Sequence, residues 1–330
     1  MDVGSITYHS ISPRMLNLLA RIHQQLGEVH ARHLHHPPEG SAKVYRASTV
    51  HATLAIEGGL LDPHPVAAIA EDHSASTQGP AALEALNTHR TYDLLTNLDP
   101  FAELDLRQAH GVLMHGLAVD AGRYRTGPME VFYGEPQPLR TAPAKGLPVA
   151  MQDLLRYAEE DDFPPLLTSC VLHFGMVYLR PFTAGNGRLA RLWQRRLLMA
   201  HWPVFGYLPV EAFIHRAEPA YHAALEFADR RGDCGDFINY MLERIEEALA
   251  EVLVTSDPVK SAGDRVAGFL HALEHQGNAS RAFQRREYMA FYPRISTATA
   301  TRDLKEAVNA RRLNAEGSGR STRYQVYSPE

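Results

Sequence analysis

Cysteine is nearly absent. Cys170 and Cys234 are the only two in 330 residues, too few and too far apart for a disulfide framework or a zinc knuckle. Cys170 stands in an apolar run and reads as a small buried hydrophobe. Long hydrophobic runs are missing too. The longest, residues 166–179, is interrupted by Thr168, Ser169 and His173 and is too short to span a bilayer. The opening Met-Asp-Val-Gly-Ser has neither the basic start nor the apolar stretch of a secretory leader. These absences lead us to expect a cytoplasmic protein with no membrane partner. A surplus of basic charge is lacking as well. The net charge is −5, so the molecule as a whole is not a polycation built to coat nucleic acid.

What is present is ordinary globular material. Hydrophobic residues make up 45% and charged residues 22%, enough for a sizeable core. The charge is unevenly spread. Residues 261–330 hold 11 Lys and Arg against 7 Asp and Glu. A basic tail on an acidic body suggests two jobs. Apolar residues recur at helical spacing over residues 15–29, 44–57, 81–97, 104–117, 149–157, 165–179, 188–200, 210–229 and 236–253. Residues 122–147 are rich in Gly and Pro and read as a loop or small hairpin. The composition shifts near Ser256-Asp257-Pro258. Beyond it, residues 265–275 and 285–291 read as helices, and Ser296 is placed to cap a third over 297–309. Two short strands around a Gly-rich turn fit residues 312–327. Three helices and a two-stranded hairpin make a winged helix-turn-helix.

The most informative stretch is Arg180-Pro181-Phe182-Thr183-Ala184-Gly185-Asn186-Gly187-Arg188-Leu189-Ala190-Arg191. An apolar helix ends in a Pro turn, and a basic helix starts after Gly185 and Gly187. Glycine lets the backbone bend and approach a ligand closely. The free amides of the new helix point into the loop. Arg188 and Arg191 are three apart and share a face. Such an arrangement suits phosphate; the bland alternative is a structural turn with exposed arginines.

This stretch resembles the Fic motif, His-x-Phe-x-(Asp/Glu)-Gly-Asn-Gly-Arg-x-x-Arg. The resemblance implies a mainly α Fic-type bundle with a small β-hairpin flap and a C-terminal winged helix-turn-helix. It also implies transfer of AMP from ATP to a hydroxyl of a target protein. Phe182, Gly185, Asn186, Gly187, Arg188 and Arg191 match and are the nucleotide- or phosphate-binding residues it implies. Two positions depart: Arg180 stands at the catalytic histidine and Ala184 at the acidic magnesium ligand. Thr53, Glu57 and Gly58, within Thr53-Leu54-Ala55-Ile56-Glu57-Gly58, resemble the inhibitory motif of one subclass. There the glutamate pairs with the second motif arginine, here Arg191. Gly122-Arg123-Tyr124-Arg125 followed by Val131, Phe132 and Tyr133 is similar to the flap that holds the target by strand pairing. Leu113-Met114-His115 resembles a recurring helix end. We accordingly divide the chain into an N-terminal helical region (1–80) with the inhibitory-type helix (44–57), a Fic-like core (81–255) and a winged helix-turn-helix (256–330).

The departures bear on mechanism. In the family the histidine takes the proton of the target hydroxyl as its oxygen attacks the α-phosphorus. A base must lose and gain a proton near neutral pH. Arginine offers donors only, so Arg180 is not expected to serve as base. Losing a general base costs about 10²–10⁴ in rate. Ala184 has no side-chain oxygen for magnesium. His173, seven residues before Arg180, lies about 10 Å along the helix and reads as a buried histidine with a partner. The expected protein is therefore catalytically impaired, with a retained ATP or phosphate site guarded by Glu57, or with Glu57 closing a dead pocket. One alternative is a working transferase of AMP or another phosphate-containing group with a non-standard base. The other is a DNA-binding regulator acting through Thr299, Arg302, Lys305, Arg320 and Arg323, with threonines aimed at bases and arginines at phosphates. An unidentified target protein and a homodimer complete the expected partners. No metal site is expected; His30, His33, His35 and His36 cluster with irregular spacing. Arg195 and Arg196 read as a solvated face, Glu159 to Asp162 as a surface turn, and Tyr324 and Tyr327 as packing for the wing.

Overall fold

The computed structural model describes residues 9–37, 41–59, 61–62, 66, 69, 79–129, 142–160, 162–255, 262–275, 282–292, 295–317 and 322–327. Close contacts divide the described chain into two bodies, one running to Leu253 and one from Val254. The first is helical: α1 (Pro13–Ala31), α2 (Ser41–Ala55), α3 (Pro80–Leu94), α4 (Glu103–Leu113), α5 (Leu147–Glu160), α6 (Pro165–Leu179), α7 (Asn186–His201), α8 (Val210–Arg216), α9 (Glu218–Arg231) and α10 (Gly235–Thr255).

The core forms around α6 and α7, which pack as an antiparallel pair. α6 is apolar on all sides, and every one of its residues but Pro165 and Tyr178 is buried. A helix with no polar face can be satisfied only by neighbours all round. α5 covers one side of it, while α4 and α2 reach α7. Even the polar members of α6 find partners: Ser169 Oγ donates to Leu166 O at 2.9 Å. α1 caps its own start with Ser12, whose Oγ accepts from Met15 N at 3.2 Å.

Two differences from the sequence pattern have local causes. A single helix is expected over residues 210–229. The chain instead breaks at Ala217 (φ −123°, ψ 35°), between α8 and α9. Pro219 has no amide hydrogen and so opens a helix rather than continuing one. The inhibitory-type helix stops at Ala55, and Glu57 and Gly58 lie in the turn that follows. Gly58 has φ 81°, a value only glycine adopts without strain. Gly59 N then closes the turn on Leu54 O at 2.9 Å.

The second body contains α11 (Ala262–His275), β1 (Phe283–Gln284), α12 (Arg285–Phe291), α13 (Thr297–Asn309), β2 (Leu313–Glu316) and β3 (Arg323–Val326). Its strands form an antiparallel sheet in the order β1-β3-β2, with Phe283 opposite Tyr324 and Ala315 opposite Tyr324 on the other side. The hairpin read from the sequence thus gains a third, two-residue strand. Phe269, Phe283, Tyr288 and Leu304 fill its small core. Ser296 Oγ caps α13 by accepting from Thr299 N at 3.1 Å. Gln284 and Glu287 form a reciprocal capping box on α12. Buried Asp303 is held by both ends of the Arg265 fork, at 2.6 Å each, and by Tyr288 Oη at 3.1 Å. Tyr324 stacks on Phe283; Tyr327 is exposed and does not pack as read from the sequence.

Candidate functional site

The site begins where α6 ends. Arg180 takes a left-handed conformation (φ 45°, ψ 64°) and donates its amide to Met176 O at 3.0 Å. A non-glycine residue there stores strain of about 1 kcal/mol or more, so its surroundings must hold it. Arg125 does so. Its buried guanidinium donates to Arg180 O at 2.7 Å, Leu179 O at 3.2 Å, Gly127 O at 2.8 Å and Ala142 O at 2.5 Å. Arg125 N also donates to Pro181 O at 2.9 Å. One side chain thereby satisfies two of the carbonyls at the helix end, those of Leu179 and Arg180. Sequence reading placed Arg125 only beside the flap and gave it no such role.

Asn186 clamps the loop from the other side. Its Oδ1 accepts from Phe182 N at 3.0 Å, and its Nδ2 donates to Phe182 O at 2.8 Å. Gly185 precedes α7 with φ 74°, and a Cβ there would lie 2.7 Å from Met114 Sδ. Phe182 is fully buried and stacks on His110, with ring centroids 3.6 Å apart. Gly122 N donates to His110 Nδ1 at 2.9 Å, so the ring hydrogen is on Nε2, which donates to Ala184 O at 3.0 Å. Burial pushes this imidazole down to about 4, and it stays neutral at physiological pH. No pattern in the sequence singled out His110. The highlighted helix-end residue, His115, is exposed and lends its carbonyl to Asn87 Nδ2 at 2.7 Å.

The two motif arginines are buried and each meets a carboxylate. Arg191 Nη2 lies 2.8 Å from Glu57 Oε1, Nε donates to Thr53 Oγ1 at 2.9 Å, and Nη2 also reaches Thr53 O at 3.0 Å. Thr53, Glu57 and Arg191 are thus brought together. Burial works to raise the Glu57 carboxyl, but the charge and hydrogen bond of Arg191, with Arg188 behind, hold it below the usual range. Glu57 also covers Gly187: a Cβ at that glycine would fall 2.2 Å from Glu57 Oε1. Arg188 Nη2 meets Glu84 Oε1 of α3 at 2.7 Å. Among the described residues its buried Nε and Nη1 have no hydrogen-bond partner. Burial lowers the Arg188 pKa despite Glu84 and Glu57, the mark of a cation short of counter-charge. Glu84 carried no signal in the sequence.

Neither central histidine is free to take a proton. His110 uses both ring nitrogens. His173 donates from Nδ1 to Gln194 Oε1 at 2.7 Å and accepts at Nε2 from Tyr221 Oη at 2.9 Å; burial pushes it to about 3. Ala184 offers a backbone carbonyl alone, and His110 occupies it. The flap residues Val131, Phe132 and Tyr133, and Arg320 of the C-terminal set, lie outside the described residues. Arg302, Lys305 and Arg323 are exposed and Thr299 is half-buried. Arg195 corrects the expected solvated face: it is buried and pairs with buried Glu211, which also accepts from Tyr92 Oη at 2.8 Å. Arg196 is half-buried and gives Nε to Leu98 O. The surplus of arginine on α7 thus caps neighbouring carbonyls rather than facing water. Among the described residues no His, Cys, Asp and Glu group has metal-site geometry, and no helix is long and apolar enough to cross a membrane.

Residues 100–198 match the model of the Fic/DOC family. The chain is similar to protein adenylyltransferase fic-1 of Caenorhabditis elegans, 28% identical over 236 residues covering 65% of this chain and 43% of that protein. It is 30% identical over 146 residues to protein adenylyltransferase Fic of Nematostella vectensis, covering 44% and 32%. The chain therefore spans less than half the length of these relatives. A Fic family protein from Desulfovibrio desulfuricans G20 superposes with a TM-score of 0.70 at 29% identity over 98% of both chains. A Fic-1 fragment from C. elegans shares the fold, with a TM-score of 0.57 at 21% identity over 72% and 71% of the two chains. Through its residues 100–198 this chain is similar to the Fic/DOC family, and its fold is that of the Fic family protein from Desulfovibrio desulfuricans G20.

Proposed function

We propose that this chain is a Fic protein whose phosphate cradle persists while its transfer chemistry is impaired. The observation that carries the reading is the replacement at the loop: Arg180 closes α6 where the resemblance calls for a proton acceptor. AMP transfer would form a bond from the target oxygen to the α-phosphorus, release pyrophosphate and leave a proton to be taken up. Arginine cannot take it. The engaged nitrogens of His110 and His173 support the absence of a substitute. The donor set does not fit magnesium either, because Ala184 brings no oxygen beyond a carbonyl already bonded to His110.

Phosphate binding has separate support. Asn186 shapes the loop, Gly187 presents bare backbone at the start of α7, and Arg188 has two unpartnered buried donors. ATP is the natural substrate-class ligand. Glu57 lies over this ground, so the wild type is held closed. Calorimetric titration with ATP and AMP tests the reading on the wild type and Glu57→Gly. Tighter nucleotide binding by the variant is expected; no heat from either would end it.

The relatives named as protein adenylyltransferases favour a protein target. A second role rests on exposed Arg302 and Lys305 on α13 and exposed Arg323 on β3. We read the second body as a winged helix that meets DNA through these cations. A gel shift that weakens steeply with salt is expected; binding indifferent to salt, or none, would remove this role.

A further inference from the structure

A cavity of about 620 Å³ opens beside α2, α3 and the second half of α7, and none of the loop residues 180–187 lines it. Its charged wall is made by Lys43 and Arg46 of α2, Asp93 of α3, and Arg195 and Arg196 of α7, with His36 among its other members.

These charges do not cancel. Arg195 is spent on structure: it pairs with Glu211 and donates to Phe205 O at 2.5 Å and Leu208 O at 2.7 Å. Arg46 lies over the Tyr92 ring, 4.8 Å from its centroid, and gives Nη1 to Asp93 at 3.1 Å. That contact uses one corner of its fork. Arg196 gives Nε to Leu98 O. Lys43 is exposed, with no carboxylate at ion-pair distance among the described residues. Among the described residues three cations therefore share one lining carboxylate. Burial lowers both Arg46 and Arg196; Asp93 only partly offsets this for Arg46, and Asp99 and Asp105 only partly for Arg196. Arg195 adds like-charge repulsion at Arg46.

A half-dry concavity with unmatched cations favours an anion. Two guanidinium forks and an ammonium suit the several oxygens of phosphate better than a lone carboxylate. The volume falls within the range of small-ligand sites, about 300–1,000 Å³. We propose that this cavity is a second anion site, which takes the phosphate of a nucleotide-sized phosphate ester. It does not depend on the transferase reading. It is built in part on α2, which leads into the Glu57 turn, and on α7, which carries Arg191.

The test is calorimetric titration of the full chain with AMP and, separately, inorganic pyrophosphate, on the wild type, Lys43→Glu, Arg46→Gln and Arg188→Gln. Lys43 is exposed, so its variant keeps the fold, which a melting curve checks. We expect Lys43→Glu and Arg46→Gln to weaken one binding event by about tenfold or more, and Arg188→Gln to leave that event intact. A crystal soaked in tungstate is expected to show the heavy ion between Lys43, Arg46 and Arg196. Binding lost only in Arg188→Gln, with tungstate only at the loop, would overturn the cavity and leave the loop reading standing. Unchanged binding in both α2 variants, or no binding by any form, would also overturn it.

Discussion

Glu57 Oε1 lies 2.8 Å from Arg191 Nη2 and would be 2.2 Å from a Cβ at Gly187. One carboxylate oxygen thus occupies both the second motif arginine and the bare backbone that an incoming phosphate would need. Anions repel anions, so on the proposed reading nucleotide must displace this carboxylate or find it absent.

Glu57→Gly should therefore tighten ATP binding by at least about tenfold, read by calorimetry. Glu84→Gln should act in the same direction, because Glu84 draws on the other motif arginine at 2.7 Å. Binding unaltered by both variants would show that neither carboxylate guards the loop.

Gly187→Ala offers a steric version of the same experiment. The new methyl meets the tip of a flexible side chain, so the fold should survive while Glu57 is pushed from Arg191. We expect α2 to become more susceptible to limited proteolysis than in the wild type. Unchanged cleavage would mean that the pair tolerates the methyl.

Arg125→Met should be severe. It leaves the carbonyls of Leu179, Arg180, Gly127 and Ala142 without their donor. An unsatisfied buried polar group costs about 1–3 kcal/mol, so we expect a loss of about 3 kcal/mol or more by urea denaturation. Arg125→Lys should rescue little, since an ammonium cannot span the same fork. A loss under about 1 kcal/mol would contradict the capping role.

Acid should weaken the fold in a defined window. An unfolded histidine titrates near ~6.5, while burial holds folded His110 to about 4 and His173 to about 3. The unfolded chain takes up these protons first. Their stabilising contribution is complete above ~6.5 and drains as pH falls, until about 4 for His110 and about 3 for His173. His173→Gln should remove one histidine's share of the slope in a series of urea midpoints; an unchanged slope would contradict its burial as a neutral ring.

The helices were legible because apolar spacing dictates which faces can leave water, and the loop was legible because Gly185, Asn186, Gly187 and Arg188 sit in consecutive order. Thr53 and Glu57 could be matched to Arg191 only through the family resemblance, since nothing local links residues so far apart. Glu84 and His110 escaped notice, and Arg125 was noticed only in the flap-like run, for a related reason. Each acts across the fold, on Arg188, Ala184 and Arg180 respectively, and no local pattern announces that contact. Arg195 was misread because a basic helix resembles a solvated face until Glu211 arrives from a neighbouring element. Ala217 shows the opposite case: Pro219 two residues later could have announced the break between α8 and α9.

The central claim is that the proton acceptor, and not the cradle, is what the loop has lost. Transfer of labelled AMP from ATP to protein, including self-labelling, tests it directly. The wild type and Glu57→Gly should leave protein unlabelled, while Glu57→Gly combined with Arg180→His and Ala184→Asp should label it. Strong labelling by the wild type or by Glu57→Gly alone would contradict the account.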